Sequence, residues 1–143
     1  MITLIVRKTI PARPERLFDA WTQPAQLRQW WGPQDVECTE AQVDLRVGGH
    51  YRIANRFPDG RVVWITGQFE LIEPPDRLVY TWSVEPQPVR ERVTVRFERR
   101  GDATDVIVVH ERIADERTRD VHERGWRECL EGLAGFASDR PQL

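Results

Sequence analysis

Apolar and polar positions alternate with period two through most of the chain, and with a helical period of about 3.6 near its start and again at its end. "ITLIVRKTI" (2–10) is rich in β-branched residues and stops at Pro11, the pattern of a strand. Pro14 stands where a first helical turn begins, and Leu17, Phe18 and Trp21 follow at helical spacing. Pro24 opens a second short helix carrying Leu27, Trp30 and Trp31, which Gly32-Pro33 stops. Arg13 and Gln23 fall at the N-cap positions, where Ser or Asp would serve better.

From Val36 to Arg112 the period is two. "EAQVDLRV" (40–47) sets Ala41, Val43, Leu45 and Val47 against polar neighbours, and Gly48-Gly49 is a turn. "HYRIANRF" (50–57) follows, closed by the hairpin signal "PDG" (58–60). "VVWITGQFELI" (62–72) places Val63, Ile65, Gly67, Phe69 and Leu71 on one face; Gly67 interrupts a bulky row and marks a bend or a close approach. Leu78, Tyr80 and Trp82 share a face of the next strand, Val93, Val95 and Phe97 of the one after, and Val106, Val108 and His110 of the last. The breaks fall at Pro74-Pro75-Asp76, "EPQP" (85–88) and Arg100-Gly101-Asp102. Trp64 points away from Ile65, onto the outer face, as an interface residue or under a loop.

After Asp115 one helix runs to about Ser138. Trp126, Leu130, Leu133 and Ala137 form its core stripe, and His122, Gly125, Cys129, Gly132 and Phe136 a shallower second one. Each glycine within a helix costs about 1 kcal/mol relative to Ala, so this second stripe calls for a reason. Close packing and a thin roof over a cavity both supply one. The order is strand, two short helices, six strands, long helix: an α+β domain spanning 1–143, with an antiparallel meander whose one face the last helix covers. "VHER" occurs at 109–112 and at 121–124, first in a strand and then in a helix, which is no structural repeat.

Composition narrows the function. With 143 residues, 40% hydrophobic and 31% charged, the chain can hold a core without staples. Net charge is −2 and no like-charge run reaches five residues, so neither nucleic-acid nor membrane binding is expected. Cys38 and Cys129 are far apart, as suits reduced thiols in a cytoplasmic protein. Neither a secretory leader nor a membrane span is expected.

The inward face is aliphatic and aromatic with a few polar tips: Tyr51, Tyr80, the Trp82 indole, His110 and His122. Such a lining suits a small-molecule pocket and equally a core with satisfied polar groups. "PERLFDAWTQPAQLRQWWGP", "VDLRVGGHYR", "GQFELIEPPDRLVYTW", "VTVRFE" and "HERGW…L…LA" together resemble the activator-of-heat-shock-protein-ATPase homologue family of the START-like superfamily. The resemblance implies a helix-grip fold, a curved antiparallel sheet wrapped around a long C-terminal helix with a cavity between them. Within that fold the two short helices plug one end of the groove. One of Trp30 and Trp31 then faces the core while the other forms the cavity rim, or both fill the end of the barrel.

The leading expectation is binding of a small apolar or aromatic ligand by Trp30, Trp31, Tyr51, Gly67, Phe69, Tyr80, Trp82, Val95, Phe97, Val108, His110, His122, Gly125, Trp126, Cys129 and Gly132. The alternatives are a co-chaperone-like interaction module and a polyketide-cyclase-like enzyme. The eukaryotic co-chaperones of the family use a further N-terminal region for which this chain has no room, so contact with a chaperone is the weaker expectation. A homodimer stays open. No catalytic set stands out, no cofactor is indicated, and no metal site is expected, since His122 and Cys129 lie about 10 Å apart along one helix. Acid–base work by His110 or His122 is the one chemistry the residue types permit.

Overall fold

A computed structural model of the chain describes residues 1–85 and 90–138. The elements are β1 (Ile2–Ile10), α1 (Pro14–Thr22), α2 (Pro24–Trp30), β2 (Glu37–Val43), β3 (His50–Arg56), β4 (Val62–Glu73), β5 (Arg77–Val84), β6 (Glu91–Arg100), β7 (Ala103–Ile113) and α3 (Glu116–Ala137). The strands form one seven-stranded antiparallel sheet in the order β1-β7-β6-β5-β4-β3-β2. β2 to β7 form the expected meander, and β1 adds to its end beside β7. α3 packs on β1 and β7, while α1 and α2 close the groove, α1 against β6 and α2 against β2. This is the helix-grip arrangement, and it is α+β.

Local chemistry sets the boundaries. α1 and α2 begin at Pro14 and Pro24, with Arg13 and Gln23 as N-caps that make no side-chain cap bond. The Asp115 carboxylate caps α3 by accepting from the Thr118 N–H at 2.8 Å. The core stripe of α3 is buried along its whole length, at Trp126, Leu130, Leu133 and Ala137.

Three expectations need correction. β2 ends at Val43, and Leu45 and Val47 are exposed in the loop that follows. There the backbone turns back on itself: Gly49 N–H donates to Arg46 O, and Gly48 N–H donates to Phe69 O. In β4 an extra residue at Glu70 shifts the pairing from Phe69↔Tyr80 to Leu71↔Val79, so Ile72 and not Leu71 packs on the core. Trp31 is the C-cap of α2, in extended conformation, rather than a helical residue. Trp64 lies half-buried on the outer face, with the Arg52 guanidinium 4.0 Å from its ring centroid. The break expected at 85–88 falls, from residue 86 on, outside the described residues.

Candidate functional site

The corner that α2 makes with the chain after it explains the second stripe of α3. Gly32 has φ +123°, a left-handed turn that glycine suits, and it brings the chain sharply off α2. The corner then lies along α3. A Cβ on Gly132 would sit 2.7 Å from Trp30 O, and one on Gly125 would sit 3.7 Å from Pro33 Cγ. The Gly32 backbone hydrogen-bonds to the Cys129 thiol, and Gln34 N–H donates to the Glu128 carboxylate at 2.9 Å. Arg16 of α1 covers Phe136, its guanidinium 4.9 Å from the ring centroid. Gly132 therefore serves close packing, while Gly125 has room for a methyl at ordinary contact distance. Gly125, Cys129 and Gly132 face this corner and are not among the residues that bound the cavity beneath the short helices.

The extended conformation of Trp31 gives the two adjacent indoles, which meet edge to face at 5.6 Å, different further partners. Trp30 Nε1–H donates to Ala20 O at 2.8 Å, which ties α2 to α1. Trp31 points toward the sheet and meets Trp82 and Trp126 at ring separations of 6.0 and 5.5 Å. A small cavity opens there, bounded by Trp21, Leu27 and Trp31 from the short helices and by Val43, Tyr51, Ile53, Phe69, Tyr80 and Trp82 from the sheet. The space open to the centre of a water molecule is about 20 Å³, enough for one water. The cavity lies under the short helices, not between α3 and the sheet.

Each wall has its own support. Tyr51 crosses Gly67, where any side chain would collide with the Thr81 carbonyl and the Tyr51 ring, and its hydroxyl donates to Thr81 O at 2.7 Å. Trp21 Nε1–H donates to the Tyr80 hydroxyl at 3.3 Å. Burial holds both tyrosines well above the usual phenol range, so they stay neutral. Two donors are left over: the buried Trp31 and Trp82 indole N–H groups find no acceptor among the described residues.

Beyond Trp82 lies a polar network. Glu91 is buried at the start of β6, on the same face as Val93, Val95 and Phe97. Its Oε1 is 2.7 Å from His110 Nε2 and 3.0 Å from His122 Nε2. Trp126 Nε1–H donates to His110 Nδ1 at 2.9 Å. Indole N–H only donates, so His110 Nδ1 is unprotonated and its proton sits on Nε2, directed at Glu91. Burial lowers the His110 pKa; the Glu91 hydrogen bond opposes this, and the net shift is downward. Burial alone would raise the Glu91 carboxyl, but the hydrogen bonds and charge of the two histidines outweigh it and hold it at about 2. Burial pushes the Cys129 thiol up to about 12, which makes it inert.

The three groups also have the reach of a metal site, with ligand atoms within 4.8 Å of one another. Trp126 argues against that use. A metal on His110 Nε2 needs the proton on Nδ1, which would set two N–H donors against each other.

The family model "Activator of Hsp90 ATPase homolog 1-like protein" matches residues 11–138. The chain belongs to this family. Solved structures agree with that membership. A Chromobacterium violaceum protein is 26% identical with a TM-score of 0.89, over 96% of this chain and 98% of that one. The AHSA1 protein of Silicibacter pomeroyi is 25% identical with a TM-score of 0.85, over 94% and 96%. CalU16 of Micromonospora echinospora is 26% identical with a TM-score of 0.74, over 94% and 74%. None of the curated proteins matches the chain.

In this family member five of the expected binding residues meet at the central cavity: Trp31, Tyr51, Phe69, Tyr80 and Trp82. Gly67 stands behind Tyr51. Trp30, Val95, Phe97 and Val108 belong to the packed core, and His110, His122 and Trp126 to the polar network. Trp21, Leu27, Val43 and Ile53 of the cavity and Glu91 of the network lie outside the expected set. Trp21 shows helical core spacing like any other buried residue. Glu91 was legible, since extending the Val93–Val95–Phe97 alternation back by two residues places it inward. No described helix is long and apolar enough to cross a membrane.

Proposed function

We propose that the chain binds one small aromatic molecule bearing a carbonyl or ether oxygen in the cavity framed by α1, α2 and β2 to β5. The observation that carries this reading is that Trp31 and Trp82, whose buried indole N–H groups find no acceptor among the described residues, both form part of the cavity wall. An unsatisfied buried donor costs about 1–3 kcal/mol, and an oxygen placed between the two removes that cost. The other walls are aromatic and aliphatic, which favours a flat apolar body. In the closed form the space suits only one water, so a ring enters when a wall moves. Leu27 and Trp31 belong to α2 and its C-cap, a helix of seven residues with no side-chain N-cap, and form the wall proposed to move. Two buried thiols suit a reducing compartment, and the cytoplasm is the proposed place of action.

Titration calorimetry with 2-acetylnaphthalene and with 2-ethylnaphthalene tests this. The ketone should bind saturably and about tenfold more tightly, the worth of about 1.4 kcal/mol of hydrogen bonding to a buried donor. Trp31→Phe should bring the two affinities together. Equal affinities in the unaltered protein, or no saturable heat from either compound, would overturn the proposal.

A further inference from the structure

The polar network has its own opening. A groove of about 220 Å³ runs past Glu91 and His122, with Trp82, Val84 and Ala114 as its apolar wall and Asp115 and Thr118 at its far end. It is distinct from the central cavity, and Trp82 is the partition that faces both. His122 stands at the boundary: its side chain is 15% exposed, while that of His110 is fully buried.

The hydrogen bonds give the two histidines different roles. His110 is held by Trp126 on one nitrogen and by Glu91 on the other, so it has no free nitrogen with which to meet a ligand. Among the described residues His122 is held through Nε2 alone, which donates to Glu91. In its neutral form this leaves the lone pair on Nδ1. The rings of His110 and His122 are stacked, with centroids 4.3 Å apart, so two imidazolium charges are strongly disfavoured together. With both His110 nitrogens engaged, His122 Nδ1 is the ring nitrogen of the pair left to meet a ligand, and the Glu91 carboxylate stands behind that ring. A carboxylate that orients an imidazole and supports its charge is the arrangement of a general base with its positioning residue.

The groove also limits what can reach that base. Glu91 and Asp115 are both carboxylates, and the Asp115 Oδ1 is already taken by the Thr118 N–H. Their field repels a ligand that arrives as an anion, whereas a phenolate formed in place is paired with the imidazolium made in the same step. A neutral ring with a weakly acidic hydroxyl meets no such barrier and lies flat on the Trp82 wall. We infer that this groove is an acid–base site for aromatic hydroxyl compounds, with His122 as proton acceptor and Glu91 as its positioning residue. In the step the ligand O–H bond breaks, its electron pair stays on oxygen, and the proton forms an N–H bond at His122 Nδ1. The products are a phenolate and an imidazolium paired with Glu91; no further reactant is needed. The inference does not depend on ligand binding in the central cavity.

4-Nitrophenol serves as the probe, because its phenolate absorbs in the visible and its phenol does not. Absorbance is followed against pH with the probe free and with protein in saturating excess. The bound probe should ionise at lower pH, its phenolate-to-phenol ratio rising about tenfold at a fixed acidic pH, or one unit of apparent pKa. His122→Gln, at a partly exposed helical position, should bind the probe and abolish the shift. Glu91→Gln keeps acceptor geometry, loses the charge, and should reduce the shift severalfold. Circular dichroism confirms that each variant is folded. A shift that persists in His122→Gln would place the probe elsewhere and overturn the inference. So would a bound probe that ionises as it does free, or no saturable binding to the unaltered protein.

Discussion

Replacing Gly132 by Ala tests how the Trp-Trp-Gly-Pro corner is seated on α3. Within a helix the change should stabilise by about 1 kcal/mol through propensity alone. At Gly132 the new methyl carbon would lie 2.7 Å from Trp30 O, a backbone atom that cannot swing aside. Relief requires α2 to lift from α3, and overpacking of this kind costs about 1–3 kcal/mol. The net effect is destabilisation of up to about 2 kcal/mol, several degrees in Tm for a domain of this size. Two other glycines of α3 supply internal controls. A methyl at Gly135 meets nothing within 4 Å, and at Gly125 only Pro33 Cγ at the ordinary contact distance of 3.7 Å. Gly135→Ala and Gly125→Ala should each raise Tm by about 2–4 °C. Scanning calorimetry on the three variants in one buffer reads the contrast. If Gly132→Ala rises with the other two, the corner does not rest on α3 and the account of the second stripe is wrong.

Acid should destabilise the protein in two stages, for reasons of the same sign. Between pH of about 6.5 and the depressed pKa of His110, the unfolded chain binds a proton that the buried ring refuses, so stability falls as pH falls. Between about 4.5 and about 2 the unfolded chain protonates Glu91 while the folded one keeps it ionised, and a further loss on the order of 3 kcal/mol follows. Glu91→Gln should remove most of the second stage in Tm-against-pH curves, and an unchanged acid limb would show that the carboxylate is not held by the histidines. Trp126→Phe leaves His110 Nδ1 without its donor and should cost about 1–3 kcal/mol. Imidazole nitrogen shifts should still show the His110 proton on Nε2, held there by the Glu91 carboxylate; a proton found on Nδ1 would mean that Trp126 alone sets the tautomer.

The architecture was legible because it rests on periodicity and punctuation. β1, the proline starts of α1 and α2, and the Asp115 start of α3 follow from residue type and spacing. What sequence spacing could not show was which elements touch. Gly125, Cys129 and Gly132 form a visible stripe, but a stripe does not say whether a cavity or a carbonyl lies against it. Alternation carried past its true end at Val43, because Leu45 and Val47 keep the period while the backbone turns. The single extra residue at Glu70 moved the inward position from Leu71 to Ile72, a change of parity with no signature in composition. The site divides the same way. Its aromatic wall was readable strand by strand, whereas the meeting of His110 and His122 at Glu91 depends on register between β6, β7 and α3.

The most direct measurement of the central claim is the indole region of a proton–nitrogen correlation spectrum during titration with 2-acetylnaphthalene. The chain has six tryptophans, and their N–H groups report separately once assigned. Trp30 and Trp126 already donate, to Ala20 O and to His110 Nδ1, and should stay in place. Trp31 and Trp82 have no acceptor among the described residues and should move downfield together, saturating at one equivalent of ligand. No movement of Trp31 and Trp82 at saturating ligand, or an equal drift of all six signals, would contradict binding in this cavity.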